Sequence, residues 1–122
     1  MNIIRNTDNI TLDSNQGHAC IAHIVNSIEI DTDVYKTLVA TGTFTVGGSV
    51  GGNANYAGFY VWNKLPSVGG YNATSNAVAY TVLPAGTKTQ ISIDLSTIQT
   101  GNYYIGFAMH AFTAKINELK LI

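Results

Sequence analysis

With 122 residues, the chain is long enough for one domain that buries roughly two thirds of its unfolded surface. Charge is sparse, at six basic against seven acidic residues and a formal net charge of −1, and Arg5, Lys36, Lys64, Lys88, Lys115 and Lys120 stand singly. That pattern excludes the clustered cations that binding to nucleic acid or to an anionic membrane surface requires.

No apolar run reaches the ~20 residues of a membrane span. The opening Met1-Asn2-Ile3-Ile4-Arg5-Asn6 carries no basic region followed by an apolar stretch, so no secretory signal is expected. Cys20, the only cysteine, lies between Ala19 and Ile21 and reads as a buried inert thiol.

Strand signals recur along the chain, and no window sustains apolar positions at a helical period. Ile10 and Leu12 alternate with Thr11 and Asp13, and Ile28 and Ile30 with Ser27, Glu29 and Asp31. From Lys36 to Val46 one face carries Leu38, Ala40, Gly42, Phe44 and Val46. The other carries Thr37, Val39, Thr41, Thr43 and Thr45, a β-branched row suited to a solvated pleated surface.

Gly58-Phe59-Tyr60-Val61-Trp62-Asn63 is a strand with two apolar faces: Phe59 and Val61 point one way, Tyr60 and Trp62 the other. Ala77 to Leu83 follows, with Val78, Tyr80 and Val82 on one side, and then a Leu83-Pro84-Ala85-Gly86-Thr87 turn. Gln90 to Leu95 alternates with Ile91, Ile93 and Leu95 inward, and Asp94 or Ser96 is placed to cap the turn after it.

Tyr103 to Phe112 is predicted as one strand, with Tyr104, Gly106, Ala108, His110 and Phe112 on its second face. The small Gly106 and Ala108 would leave a shallow trough there. Lys115 to Ile122 closes the chain, with a slip between Ile116 and Leu119 that marks a bulge. These elements predict an all-β, two-sheet antiparallel sandwich over residues 1–122, its core holding Leu38, Phe44, Phe59, Val61, Ile91, Ile93, Ile105, Phe107 and Leu119.

Tyr60 and Trp62 are large rings with polar tips opposite a core face. Either another element covers them or a flat, partly polar ligand does. The Gly-rich segments 46–55 and 66–76 flank this strand and bring Asn53, Tyr71 and Asn72 near it. If Tyr103–Phe112 pairs beside it, Tyr104 and His110 extend the same surface. Rings beside amide and imidazole donors are what a sugar requires, the ring covering the C–H face and the tips binding hydroxyls. Tyr60, Trp62, Tyr71, Asn53, Asn72, Tyr104 and His110 are therefore the candidate ligand-binding residues.

Chemistry is less well provided for. The acids offer same-face carboxylates only in Glu29-Ile30-Asp31-Thr32-Asp33, where two-carboxylate glycoside hydrolysis would need groups facing across a cleft. Catalysis is therefore not expected, and neither is a cofactor. Calcium at Asp31 and Asp33 is the one metal candidate, set against a plain solvated strand end. His18, His23 and His110 lack metal spacing, and no G-x-S-x-G elbow occurs.

The run Ile91-Ser92-Ile93-Asp94-Leu95-Ser96-Thr97-Ile98, then Gly101-Asn102-Tyr103-Tyr104-Ile105-Gly106-Phe107 and a final strand from Lys115 to Ile122, resembles the C-terminal half of jelly-roll modules on bacteriophage and prophage tail proteins. Ile30-Asp31 followed by Tyr35-Lys36-Thr37-Leu38 is similar to a further segment of those modules, and the Gly-rich middle is unmatched. The resemblance implies a jelly roll and a non-catalytic carbohydrate-binding module, one domain of a larger tail fibre, baseplate or surface protein. It would bind host surface polysaccharide, in a virion tail or at an extracellular surface. The alternative is a structural module of a multimeric fibre, such as a homotrimer, with the aromatic face buried between subunits.

Overall fold

The computed structural model describes residues 1–5, 10–14, 20–47, 56–66, 74 and 76–122. Among them are nine strands: β1 (Asn2–Ile4), β2 (Ile10–Ser14), β3 (Cys20–Ile30), β4 (Thr37–Val46), β5 (Tyr56–Trp62), β6 (Ala77–Val82), β7 (Gly86–Asp94), β8 (Gly101–His110) and β9 (Phe112–Leu121). One sheet runs β1-β9-β4-β7, with β2 also on β9, and the other runs β3-β8-β5-β6. Every pairing is antiparallel.

The connectivity identifies the sandwich. β2 pairs β9, β3 pairs β8, β4 pairs β7 and β5 pairs β6. A long antiparallel ribbon folded over on itself in this nested order is a jelly roll, with β1 added to the outer strand. The expected fold class holds.

Residues that alternate in the sequence meet between the sheets, and all nine expected core residues are buried. Phe107 is the centre of the packing. Its ring lies 4.9 Å from Phe59, 5.6 Å from Phe112 and 6.3 Å from Phe44, all stacked. The row of threonines on β4 faces away from this core, and Thr45 and Thr87 pair their hydroxyls at 3.1 Å across β4 and β7.

Two irregularities shape the chain. Asn117 is the bulge residue of β9, because Thr41 pairs Glu118 while the next residue, Gly42, pairs Ile116. This is the predicted slip between Ile116 and Leu119. The second irregularity corrects a prediction, since Tyr103–Phe112 is not one strand. β8 ends at His110, Ala111 takes a left-handed φ of 54°, and Phe112 opens β9 in the opposite sheet. The Ala111 carbonyl accepts from Gly47 N–H at 2.7 Å, which helps hold this sharp corner. Phe112 consequently leaves the outward face and enters the core. Periodicity could not register the corner, because apolar residues lie on both sides of it.

Gly42 sits where β4 and β9 approach closely. A Cβ there would lie 1.9 Å from the Lys115 carbonyl oxygen, a backbone atom that cannot swing aside. Gly42→Ala is expected to cost about 3 kcal/mol, the upper end of overpacking penalties, read as a lower urea midpoint at unchanged slope. No change in midpoint would mean that β9 can slide outward at its bulge.

Candidate functional site

The outward face of the β3-β8-β5-β6 sheet holds the predicted aromatics. The predicted pairing is present: Trp62 lies opposite Tyr104, Tyr60 opposite Gly106 and Gly58 opposite Ala108. The face is not open, however. Trp62 is 0% exposed and Tyr60 1% exposed, packed with Ala108, Ile21, Leu65, Ala77 and Tyr104 in a second apolar cluster.

The trough expected over Gly106 and Ala108 is filled. A Cβ on Gly58 would lie 2.4 Å from the Tyr60 ring, so that ring lies over its own strand. A Cβ on Gly106 would lie 2.2 Å from the Ala22 carbonyl, because β3 crowds in near its register shift at His23. Small residues here make room for neighbours inside the molecule rather than for a ligand.

This corrects the assignment of Tyr60 and Trp62 as ligand-binding, which needs an accessible face where this chain already covers both rings. The rings stack at 5.3 Å and 2° between planes, and Tyr60 stacks on Tyr80 at 5.2 Å. Tyr104 belongs to the same cluster and is half-buried. His110 pairs Tyr56 in register, but its side chain lies outside the described set. Asn53, Tyr71 and Asn72 also lie outside the described residues.

The Asp31–Asp33 segment is a capped turn. Asp31 Oδ1 accepts from Asp33 N–H at 3.0 Å, and the Asp31 carbonyl accepts from Val34 and Tyr35 N–H. Thr100 Oγ1 accepts from Thr32 N–H at 3.0 Å and donates to Asp31 Oδ1 at 3.5 Å, tying the turn to the start of β8. The Thr32 carbonyl, an oxygen that a cation would use, accepts from the Lys36 ammonium instead.

Among the described residues no three His, Cys, Asp or Glu gather as a metal site. Asp31 Oδ1 and the Asp31 carbonyl thus satisfy backbone donors, and the Thr32 carbonyl takes the Lys36 ammonium. Adding EDTA or millimolar Ca²⁺ is expected to leave Tm unchanged. A rise with Ca²⁺ would be linkage to a bound ion.

A different concavity is available at one end of the sandwich. Asn63, Val78, Thr97, Ile98, Gln99 and Tyr103 line a groove of about 420 Å³. Its walls are pinned. Asn63 N–H donates to the Asn76 carbonyl at 3.1 Å, and Ile98 N–H to the Leu95 carbonyl at 3.2 Å. Asp94 Oδ1 accepts from Ser96 N–H at 2.9 Å, and this bond, with one from the Ser96 hydroxyl, holds the Asp94 carboxyl below the usual carboxylate range. The Tyr103 hydroxyl donates to the Gln99 carbonyl, anchoring the β7–β8 turn over the core.

Among the described residues the lining holds two amides, a hydroxyl, a phenol and two branched aliphatics, with no carboxylate, ammonium or imidazole. Such a surface can exchange hydrogen bonds with a neutral polyhydroxylated molecule and cover its C–H edges. A second hollow of about 220 Å³, on β2, β4 and β9, is lined by Thr11, Leu12, Asp13, Thr43, Thr113, Ala114 and Lys115.

None of the end-groove residues was a predicted site residue. The turn at 94–98 was legible, but its neighbours were not. Extending the Trp62–Tyr104 pairing by one residue sets Asn63 beside Tyr103, and only that cross-strand register joins the turn to β5. Comparison with known proteins supplies no template for this groove: no family model, no curated protein and no solved structure matches the chain.

Proposed function

We propose that this chain is a non-catalytic carbohydrate-binding module that takes a neutral glycan in the groove of Asn63, Val78, Thr97, Ile98, Gln99 and Tyr103. The observation that carries the reading is the lining itself: uncharged donors and acceptors beside aliphatic surface, in a volume within the ~300–1,000 Å³ of small-ligand sites. Among the described residues a charged ligand would find no counter-ion there. Support for a phage tail fibre or baseplate as the setting, with a host surface polysaccharide as ligand, is the resemblance of 91–107 to tail jelly rolls.

A shallow groove gives weak affinity per site, with Kd of about 10 μM to 1 mM, and repetition on a multimeric tail raises the avidity. A glycan array followed by calorimetry tests the reading. Gln99→Ala and Asn63→Ala, both at exposed positions, are expected to weaken binding at least tenfold with Tm unchanged. An array without neutral glycan hits overturns the reading, as does binding that both variants leave intact.

A further inference from the structure

We infer that β6 is a self-association edge, along which a second copy of this chain adds its own β6 antiparallel about a two-fold axis at Tyr80. The proposal does not rest on the glycan reading. Edge strands present unpaired N–H and C=O groups, and proteins protect them with charge or by keeping them short. The other edges here follow that rule. β1 is three residues long, β2 carries Asp13, β3 carries His23 and Glu29, and β7 carries Lys88 and Asp94.

β6 departs from it in charge, its one irregularity being a bulge at Val78. Its sequence is Ala-Val-Ala-Tyr-Thr-Val, and no charged residue occurs from Leu65 to Thr87. Tyr80 is 48% exposed and Val82 61% exposed.

The backbone phase favours a second copy. Leu83 N–H donates to the Ala57 carbonyl at 2.9 Å, and the β5–β6 register pairs Phe59 with Thr81 and Val61 with Ala79. Antiparallel ladders alternate bonded and non-bonded pairs. Thr81 and Ala79 therefore turn their backbone groups toward β5, while Tyr80 and Val82 turn theirs outward.

A two-fold axis at Tyr80 makes Tyr80 of each copy a bonded pair, the regular ladder ending at the bulge at Val78. The same patch serves both sides, as an isologous contact requires. Side chains agree with this phase. Trp62, Tyr60 and Tyr80 form a stacked ladder across the sheet, and it ends in solvent at Tyr80. A second Tyr80 continues it. With a net charge of −1 per chain, two copies approach without strong repulsion.

Light scattering and amide hydrogen exchange on the whole chain, from about 5 μM to 500 μM, test the inference. The expected result is a monomer–dimer equilibrium in which Tyr80 and Val82 amides become protected as concentration rises. Ala79 and Thr81 should be protected throughout. Tyr80→Lys, and separately Val82→Lys, should raise the dimer Kd at least tenfold. Thr87→Lys on the neighbouring edge and Gln99→Ala in the groove should not. A monomer at every concentration, a closed trimer, or a dimer that both β6 variants retain would each overturn the proposal.

Discussion

Replacing Phe107 with Ala is expected to cost about 3–5 kcal/mol, the sum of lost transfer energy and a cavity that neighbours cannot fill. Phe107 is fully buried on β8 and stacks on Phe59 of its own sheet. It also stacks on Phe44 and Phe112 of the facing sheet, so its ring joins the two layers at their midpoint. The partners are held by strands paired on both sides, which limits collapse into the space left behind. Total stabilities of such domains are about 5–15 kcal/mol, so the variant should stand near the edge of folding. Tm should fall by on the order of 10–20 °C. A loss below about 1 kcal/mol would show that the sheets repack around the hole.

Trp62→Ala is expected to destabilise by a similar amount, about 3–5 kcal/mol, rather than to act on ligand binding. Trp62 is 0% exposed on the outward face of its sheet and lies parallel to Tyr60, which in turn covers Gly58. Removing the indole unstacks the ladder that ends at Tyr80. As the chain holds one Trp, its fluorescence reports this environment directly. Native emission should be blue-shifted and resist iodide quenching until the protein unfolds. Red-shifted, quenchable emission, together with an unchanged Tm in Trp62→Ala, would return this face to solvent and reinstate it as a binding surface.

What the chain reveals by itself is what period-two alternation encodes. The inward positions of β4, β5, β7 and β8 are readable one strand at a time, because a residue's side of the strand follows from its parity. Turn chemistry is equally local. The Asp94 cap and the positive φ of Gly86 (117°) depend on a few neighbouring residues. The bulge at Asn117 shows as a slip in the pattern.

The tertiary structure decides three other matters. One is the corner at Ala111, where the chain changes sheet without breaking its apolar run. Another is whether an outward aromatic is covered. Trp62 and Tyr80 share a sheet face, yet one is buried and the other half-exposed, because β6 is the sheet's edge and β5 is not. The last is the end groove, which joins the residue after β5 with residues of β6, the β7–β8 turn and β8. Parity tells which side of a strand a residue lies on. What stands on that side depends on pairing between segments tens of residues apart, and no local pattern carries that.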